Sequence, residues 1–147
     1  MAVTSPDLDV AQLSNALERV VTMVRRMLPS QPMSLTSVSV LRSLELSGPT
    51  RLTELASTQG VTQPGMTQLI TRLERDGYVQ RGGSHQDARV VLVSLTDAGQ
   101  EFLDQRRKLR AAHLSDLLDR LPADHRAEIL AAIPALDLLA DLGQEPV

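Results

Sequence analysis

Residues 53–76 hold two short stretches of helical periodicity separated by only Gly60 and Val61, and the second stops at Gly77 just before two valine-bearing segments. So tight a break leaves no room for a wandering loop. The two helices must cross steeply around a turn, which is the length and break pattern of a helix-turn-helix. Thr53 is the expected N-cap of a helix over Glu54–Gln59 whose Leu55 and Ala56 face inward. Gly60 tolerates positive φ past its end, and Thr62 caps a second helix from Gln63 to about Asp76. Pro64 suits the first turn of that helix, where a missing N–H has no intrahelical partner anyway.

On this second helix Met66, Leu69, Ile70 and Leu73 fall at i, i+3, i+4 and i+7 and form a buried stripe. The opposite face carries Pro64, Thr67, Gln68, Thr71, Arg72 and Arg75, with Thr62 and Gln63 at the N-terminus. A helix of this length, about 20 Å, fits a major groove roughly 12 Å wide. There glutamine pairs with adenine, arginine with guanine, and threonine methyls meet thymine. Periodicity alone does not separate this from an ordinary solvated face, but the chain beyond Gly77 does. Tyr78–Arg81 and Arg89–Leu95 read as strands joined by a polar loop, Gly82 to Ala88, so a β-hairpin directly succeeds the helix as a wing. Its loop carries His85, Asp87 and Arg89. Arginine suits a narrow, electronegative minor groove, and Asp87 can orient it.

The flanks are helical. Val10 to Leu28 has apolar residues at three- and four-residue steps; Pro29 and Pro32 end it. Ser34 caps the next helix, with Leu35, Val38, Leu41 and Leu44 on one stripe, until Ser47-Gly48-Pro49. Thr96 or Asp97 begins a long helix through Arg120, and Pro122 a last one to about Gly143, kinked by Pro134. Tyr78 and Phe102 are the only Phe, Trp or Tyr residues, so aliphatic side chains fill the core. The fold expected is mainly α with a small β-wing. A single domain over 1–147 is expected, with a winged helix-turn-helix lobe at 34–96 and dimerisation helices at 8–30 and 97–143.

Charge neither recommends nor excludes DNA. The net charge is −3, but residues 51–95 are near neutral, with Arg51, Arg72, Arg75, Arg81 and Arg89 against Glu54, Glu74, Asp76 and Asp87. The negative excess lies after residue 95. Phosphate attraction is local and screened within about 10 Å at moderate salt, so the face that carries the arginines decides. The basic run Arg106-Arg107-Lys108-Leu109-Arg110 reads first as solvated helix surface; phosphate contact or an anion pocket is the other reading.

The segments LTELASTQGVTQPGMTQLITRLERDGYVQR and DARVVLVSLTDAGQEFL, in this order and spacing, resemble the MarR family of bacterial transcription regulators. The resemblance extends from Leu35 to Leu103. It implies a homodimer whose first and last helices interlock, with two winged lobes on successive major grooves of double-stranded DNA. It further implies DNA contacts from Thr62, Gln63, Thr67, Gln68, Thr71 and Arg72 and from the wing pair Asp87 and Arg89. Two departures stand out: Ser84 replaces the family's first acidic wing residue, and no aromatic accompanies Val38.

The leucine-rich ends would be incompletely covered in a monomer, so Val10, Leu13, Leu17, Leu114, Leu117, Leu121, Ile133, Leu136 and Leu139 are the expected dimer contacts. The function expected is a sequence-specific regulator acting on a pseudo-palindromic operator, a repressor released by a small-molecule effector. A winged-helix protein-interaction module without DNA binding is the alternative. No stretch suggests a membrane span or a leader, so a cytoplasmic location is expected. There is no cysteine, and His85, His113 and His125 are too dispersed for a metal site, so neither metal nor cofactor is expected. No nucleophile–base pair or phosphate loop suggests an enzyme.

Overall fold

The capping residues act locally, as their chemistry demands. In a computed structural model, which describes residues 10–27, 33–83 and 90–143, Ser34 Oγ accepts from the Ser37 amide at 3.1 Å and Thr62 Oγ1 from the Gly65 amide at 3.3 Å. These start α2 (Leu35–Ser47) and α4 (Gln63–Arg75), preceded by α1 (Val10–Met27), β1 (Thr50–Arg51) and α3 (Leu52–Thr58). Then come β2 (Val79–Gly83), β3 (Val91–Leu95), α5 (Asp97–Asp119), α6 (Ala123–Ala131) and α7 (Ile133–Leu142). The chain divides into two compact units, Met1–Arg110 and Ala111–Val147.

In the first unit one aliphatic core unites the helices with the sheet. Val40, Leu41 and Leu44 of α2, Leu55 and Ala56 of α3, and Met66, Ile70 and Leu73 of α4 are buried with Val79, Val93 and Leu103. The scarce aromatics are used together: Tyr78 and Phe102 pack with ring centroids 5.1 Å apart, at the edge of this core.

Several boundaries differ from the sequence reading. Helix α3 starts at Leu52 behind Arg51 with no side-chain cap, so Thr53 lies within its first turn rather than capping it. Leu35, at the first position of α2, is 63% exposed and leaves the apolar stripe. Gly82 and Gly83 belong to β2, paired with Leu92 and Val91, which shortens the loop. A third strand was not anticipated. β1 pairs antiparallel with β3 through Thr50↔Val93 and Arg51↔Leu92, giving the order β1-β3-β2. The C-terminal stretch is two helices meeting at Ala132, not one kinked helix. Pro134 sits in the first turn of α7, because its ring would clash with the carbonyl four residues earlier in a continuous helix.

Helix α2 is fastened to α5 by a polar clasp. Glu45 accepts from both terminal nitrogens of Arg107, at 2.9 and 2.8 Å, and from the Gln100 amide at 2.6 Å; Arg107 also reaches Asp104. Hydrogen bonds from Arg107 and then Gln100 lower the Glu45 carboxyl to a pKa of about 2, while those to Glu45 and then Asp104 raise that of Arg107.

A carboxylate whose pKa is lowered on folding contributes stability above its unfolded value, here 4.5, and loses it as pH falls from there toward about 2. Glu45→Gln is therefore expected to flatten the fall in stability across that window, measured by urea unfolding as a function of pH. An unchanged profile would show that the clasp does not contribute. A second expectation concerns Gly99, which is buried where α5 begins. An added Cβ would fall inside contact distance of the Tyr78 carbonyl oxygen and 2.6 Å from Leu95 Cδ1. Gly99→Ala should destabilise by about 2–3 kcal/mol in the same assay.

Candidate nucleic-acid interface

Helices α3 and α4 end in the same way, and that sets the geometry of the site. Past α3, the Gly60 amide donates to Ser57 O and Val61 to Ala56 O, with Gly60 at φ 62°. Past α4, Gly77 donates to Glu74 O and Tyr78 to Leu73 O, with Gly77 at φ 85°. Both are Schellman closures, which need a residue free to take left-handed φ and reverse the chain within two residues. The first turns the chain from α3 into α4; the second turns it from α4 straight into β2.

The stripe read from sequence is buried as expected at Met66, Ile70 and Leu73, with Leu69 half-buried. On the other side Thr62, Gln63, Pro64, Thr67, Gln68, Thr71, Arg72 and Arg75 are all exposed along one helix. They are not equally available. Thr67 Oγ1 donates to Gln63 O and Thr71 Oγ1 to Thr67 O, at 2.9 and 2.8 Å. Thr71 Oγ1 also accepts from Arg81 Nη2 at 3.0 Å. Its proton is thus committed to the helix, and what it offers outward is mainly its methyl group. Arg75 Nε is 3.0 Å from Asp76 Oδ1, a pair between exposed neighbours. The Arg72 side chain has no ion-pair or hydrogen-bond partner among the described residues, so its full set of donors remains free.

Arg81 enters the sequence reading only as the end of a strand and in the charge balance, yet it ties that strand to α4. From β2 it reaches back to α4, where its Nη1 bonds Glu74 Oε2 while its own backbone amide donates to Glu74 Oε1 at 3.1 Å. One carboxylate thus grips a strand by main chain and side chain at once, fixing the root of the hairpin to the last turn of the helix. The sequence held the signal, an acid and a base on either side of a Gly77 reversal, but helical spacing does not pair residues across a turn. The expected wing residues His85, Asp87 and Arg89 lie outside the described residues.

The dimer contacts expected from sequence fall on surface-facing positions. Val10, Leu13, Leu114, Ile133, Leu136 and Leu139 are exposed, while Leu17, Leu117 and Leu121 are half-buried. Neither α6 nor α7 has a fully buried residue. Among the described residues no group of three or more His, Asp or Glu side chains could hold a metal ion, and no helix is long and apolar enough to cross a membrane.

Comparison with known proteins agrees with this geometry. The family model described as the MarR family matches residues 33–91. The HTH-type transcriptional regulator MT0903.1 of Mycobacterium tuberculosis is 32% identical over 131 residues, covering 89% of this chain and 92% of its own. The uncharacterized HTH-type transcriptional regulator ML2140 of Mycobacterium leprae is 34% identical over 135 residues, 92% of each chain. Among solved structures, transcriptional regulator Tm0710 of Thermotoga maritima superposes with a TM-score of 0.78 at 23% identity, over 93% of this chain and 99% of that one. A MarR family protein from Bacillus stearothermophilus superposes with a TM-score of 0.76 at 21% identity, over 97% of this chain and 100% of that one.

If Glu74 anchors the hairpin, Glu74→Gln should cost about 1 kcal/mol of stability, since the pair is partly exposed. It should also speed hydrogen exchange at the Arg81 amide more than elsewhere in β2. Exchange unchanged at Arg81 would mean that the strand is held by the sheet alone.

Proposed function

We propose a specific role for this chain, which belongs to the MarR family of DNA-binding transcription regulators: a homodimeric, ligand-responsive repressor of a pseudo-palindromic operator. Regulators of this family are not enzymes. The observation that carries the reading is the outward face of α4, where Gln63, Gln68 and Arg72 stand exposed beside the Thr67 and Thr71 methyls while the opposite face is locked in the core. In a major groove Arg72 is suited to guanine and Gln68 to adenine, with the threonine methyls against thymine. Thr62, Gln63 and Pro64, at the helix N-terminus, are suited to a phosphate, which amides and the helix dipole favour there. Arg75 would add a backbone contact, exchanging its exposed Asp76 for phosphate. His85, Asp87 and Arg89 complete the surface from the wing, on the strength of the sequence.

Dimerisation is inferred from the uncovered aliphatic residues at both ends, Val10, Leu13, Leu114, Ile133, Leu136 and Leu139 among them. A second copy is the economical cover for such surface. Two lobes related by a two-fold axis read two half-sites, so the operator repeats inverted at a spacing set by the dimer. An effector that favours one lobe spacing by about 1–3 kcal/mol would suffice to release DNA.

Arg72→Ala should weaken binding to DNA from the gene's own promoter by about ten- to a hundredfold, with relaxed preference at one base position and an intact dimer. Fluorescence anisotropy across a salt series measures it. Binding indifferent to sequence, or absent from the unaltered protein, would overturn the operator reading in favour of a protein-interaction module. The double variant Leu136→Asp, Leu139→Asp should sediment as a monomer; a persisting dimer would place the interface elsewhere.

A further inference from the structure

Arg107 and Lys108 of the basic run on α5 are exposed, as a solvated surface requires, but Arg106 is not. Arg106 is 8% exposed and its guanidinium stacks 5.6 Å from the centroid of the Phe102 ring. No carboxylate meets it among the described residues. Burial, and then the positive charge of Arg110, push its pKa down from the ordinary arginine value. Arginine nonetheless remains protonated in proteins, so a buried cation stands here without a counter-charge.

Its neighbours deepen the imbalance. Arg106 lines a cavity of about 50 Å³ with Val38 and Arg42 of α2 and Leu103, Arg107 and Arg110 of α5. Arg107 is neutralised by Glu45 and Asp104. Arg42 and Arg110 make no hydrogen bond or ion pair among the described residues, and Arg42 feels the Glu45 carboxylate only at longer range, so three arginines without an ion pair line one small space. Burying Arg106 beside two further cations at its rim is costly, because each like charge disfavours the others. The arrangement suits an oxyanion, whose oxygens accept paired hydrogen bonds from the planar guanidinium forks.

The lining also selects among anions. Among the described residues no aromatic ring borders the cavity, its apolar part is one valine and one leucine, and its volume admits only a few heavy atoms. Three cations around that space call for more than one negative charge. We propose that the Arg42–Arg106–Arg110 cluster is a binding site for a compact, non-aromatic dianion of the phosphate or dicarboxylate class. The site stands on its own geometry; that its occupant is the effector rests on the ligand-responsive reading above.

Titrating the full-length protein calorimetrically with orthophosphate and with succinate, at constant ionic strength balanced by chloride, tests the site without DNA. Saturable binding by either dianion is expected, with the unfolding temperature raised roughly 3–6 °C at ten times Kd. Arg110→Gln and Arg42→Gln, both at the accessible rim, should each weaken binding more than about tenfold. Lys108→Gln, from the same basic run but outside the cavity lining, should bind normally. Arg106→Gln tests the buried member, and the rim variants decide the matter if it does not fold. Equal stabilisation by chloride, equal loss in the Lys108 variant, or tighter binding of benzoate than of phosphate would overturn the proposal. A dianion that binds at this cluster yet leaves operator affinity unchanged would support the site and overturn its role as effector pocket.

Discussion

One side chain joins the three parts on which the placing of the exposed α4 face depends. Thr96 Oγ1 donates to Gly77 O at 2.6 Å, where α4 turns into β2, and accepts from the Gly99 amide at 3.1 Å, capping α5. Its backbone amide donates to Tyr78 O at 3.1 Å and its carbonyl accepts from Gln100. The end of α4, the first residues of the hairpin and the start of the long helix therefore share one set of hydrogen bonds. Gly99 lets α5 approach the Tyr78 carbonyl closely enough for this to form. Displacing any one of the three parts would break bonds held by the other two, so the end of α4 and the root of the hairpin are held together with the start of α5.

The features legible in the sequence were local ones. Thr62, Pro64, Gly60 and Gly77 determine conformation within a few residues, and the helix-turn-helix and its exposed face were visible for that reason. The hairpin was visible through its valine-rich patterning. β1 escaped because a two-residue strand carries no period, and its partner Val93 lies far along the chain. Thr53 misled as a cap because β1 delivers Arg51 in extended conformation directly to the start of α3, so tertiary pairing set the boundary. Glu74 and Arg81, Glu45 and Arg107, and the unpartnered Arg106 share that blindness: charges on separate elements acquire meaning only when the fold brings them together.

A nearly neutral lobe must reach DNA with few charges, and the structure shows how its arginines are divided. Arg81 is committed to Glu74 and Thr71, so it shapes the surface instead of offering charge to it. Arg75 has an exposed acidic neighbour that phosphate can replace, and such surface pairs are worth under about 1 kcal/mol. Arg72 alone on α4 is free of partners among the described residues. A surface of this kind gains little from general attraction to phosphate, so under the reading proposed above, discrimination would fall mainly to geometry at base edges. Affinity then depends on how rigidly α4 is held. The Glu74 grip on Arg81 and the bonds of Thr96, neither of which need touch DNA, provide that rigidity.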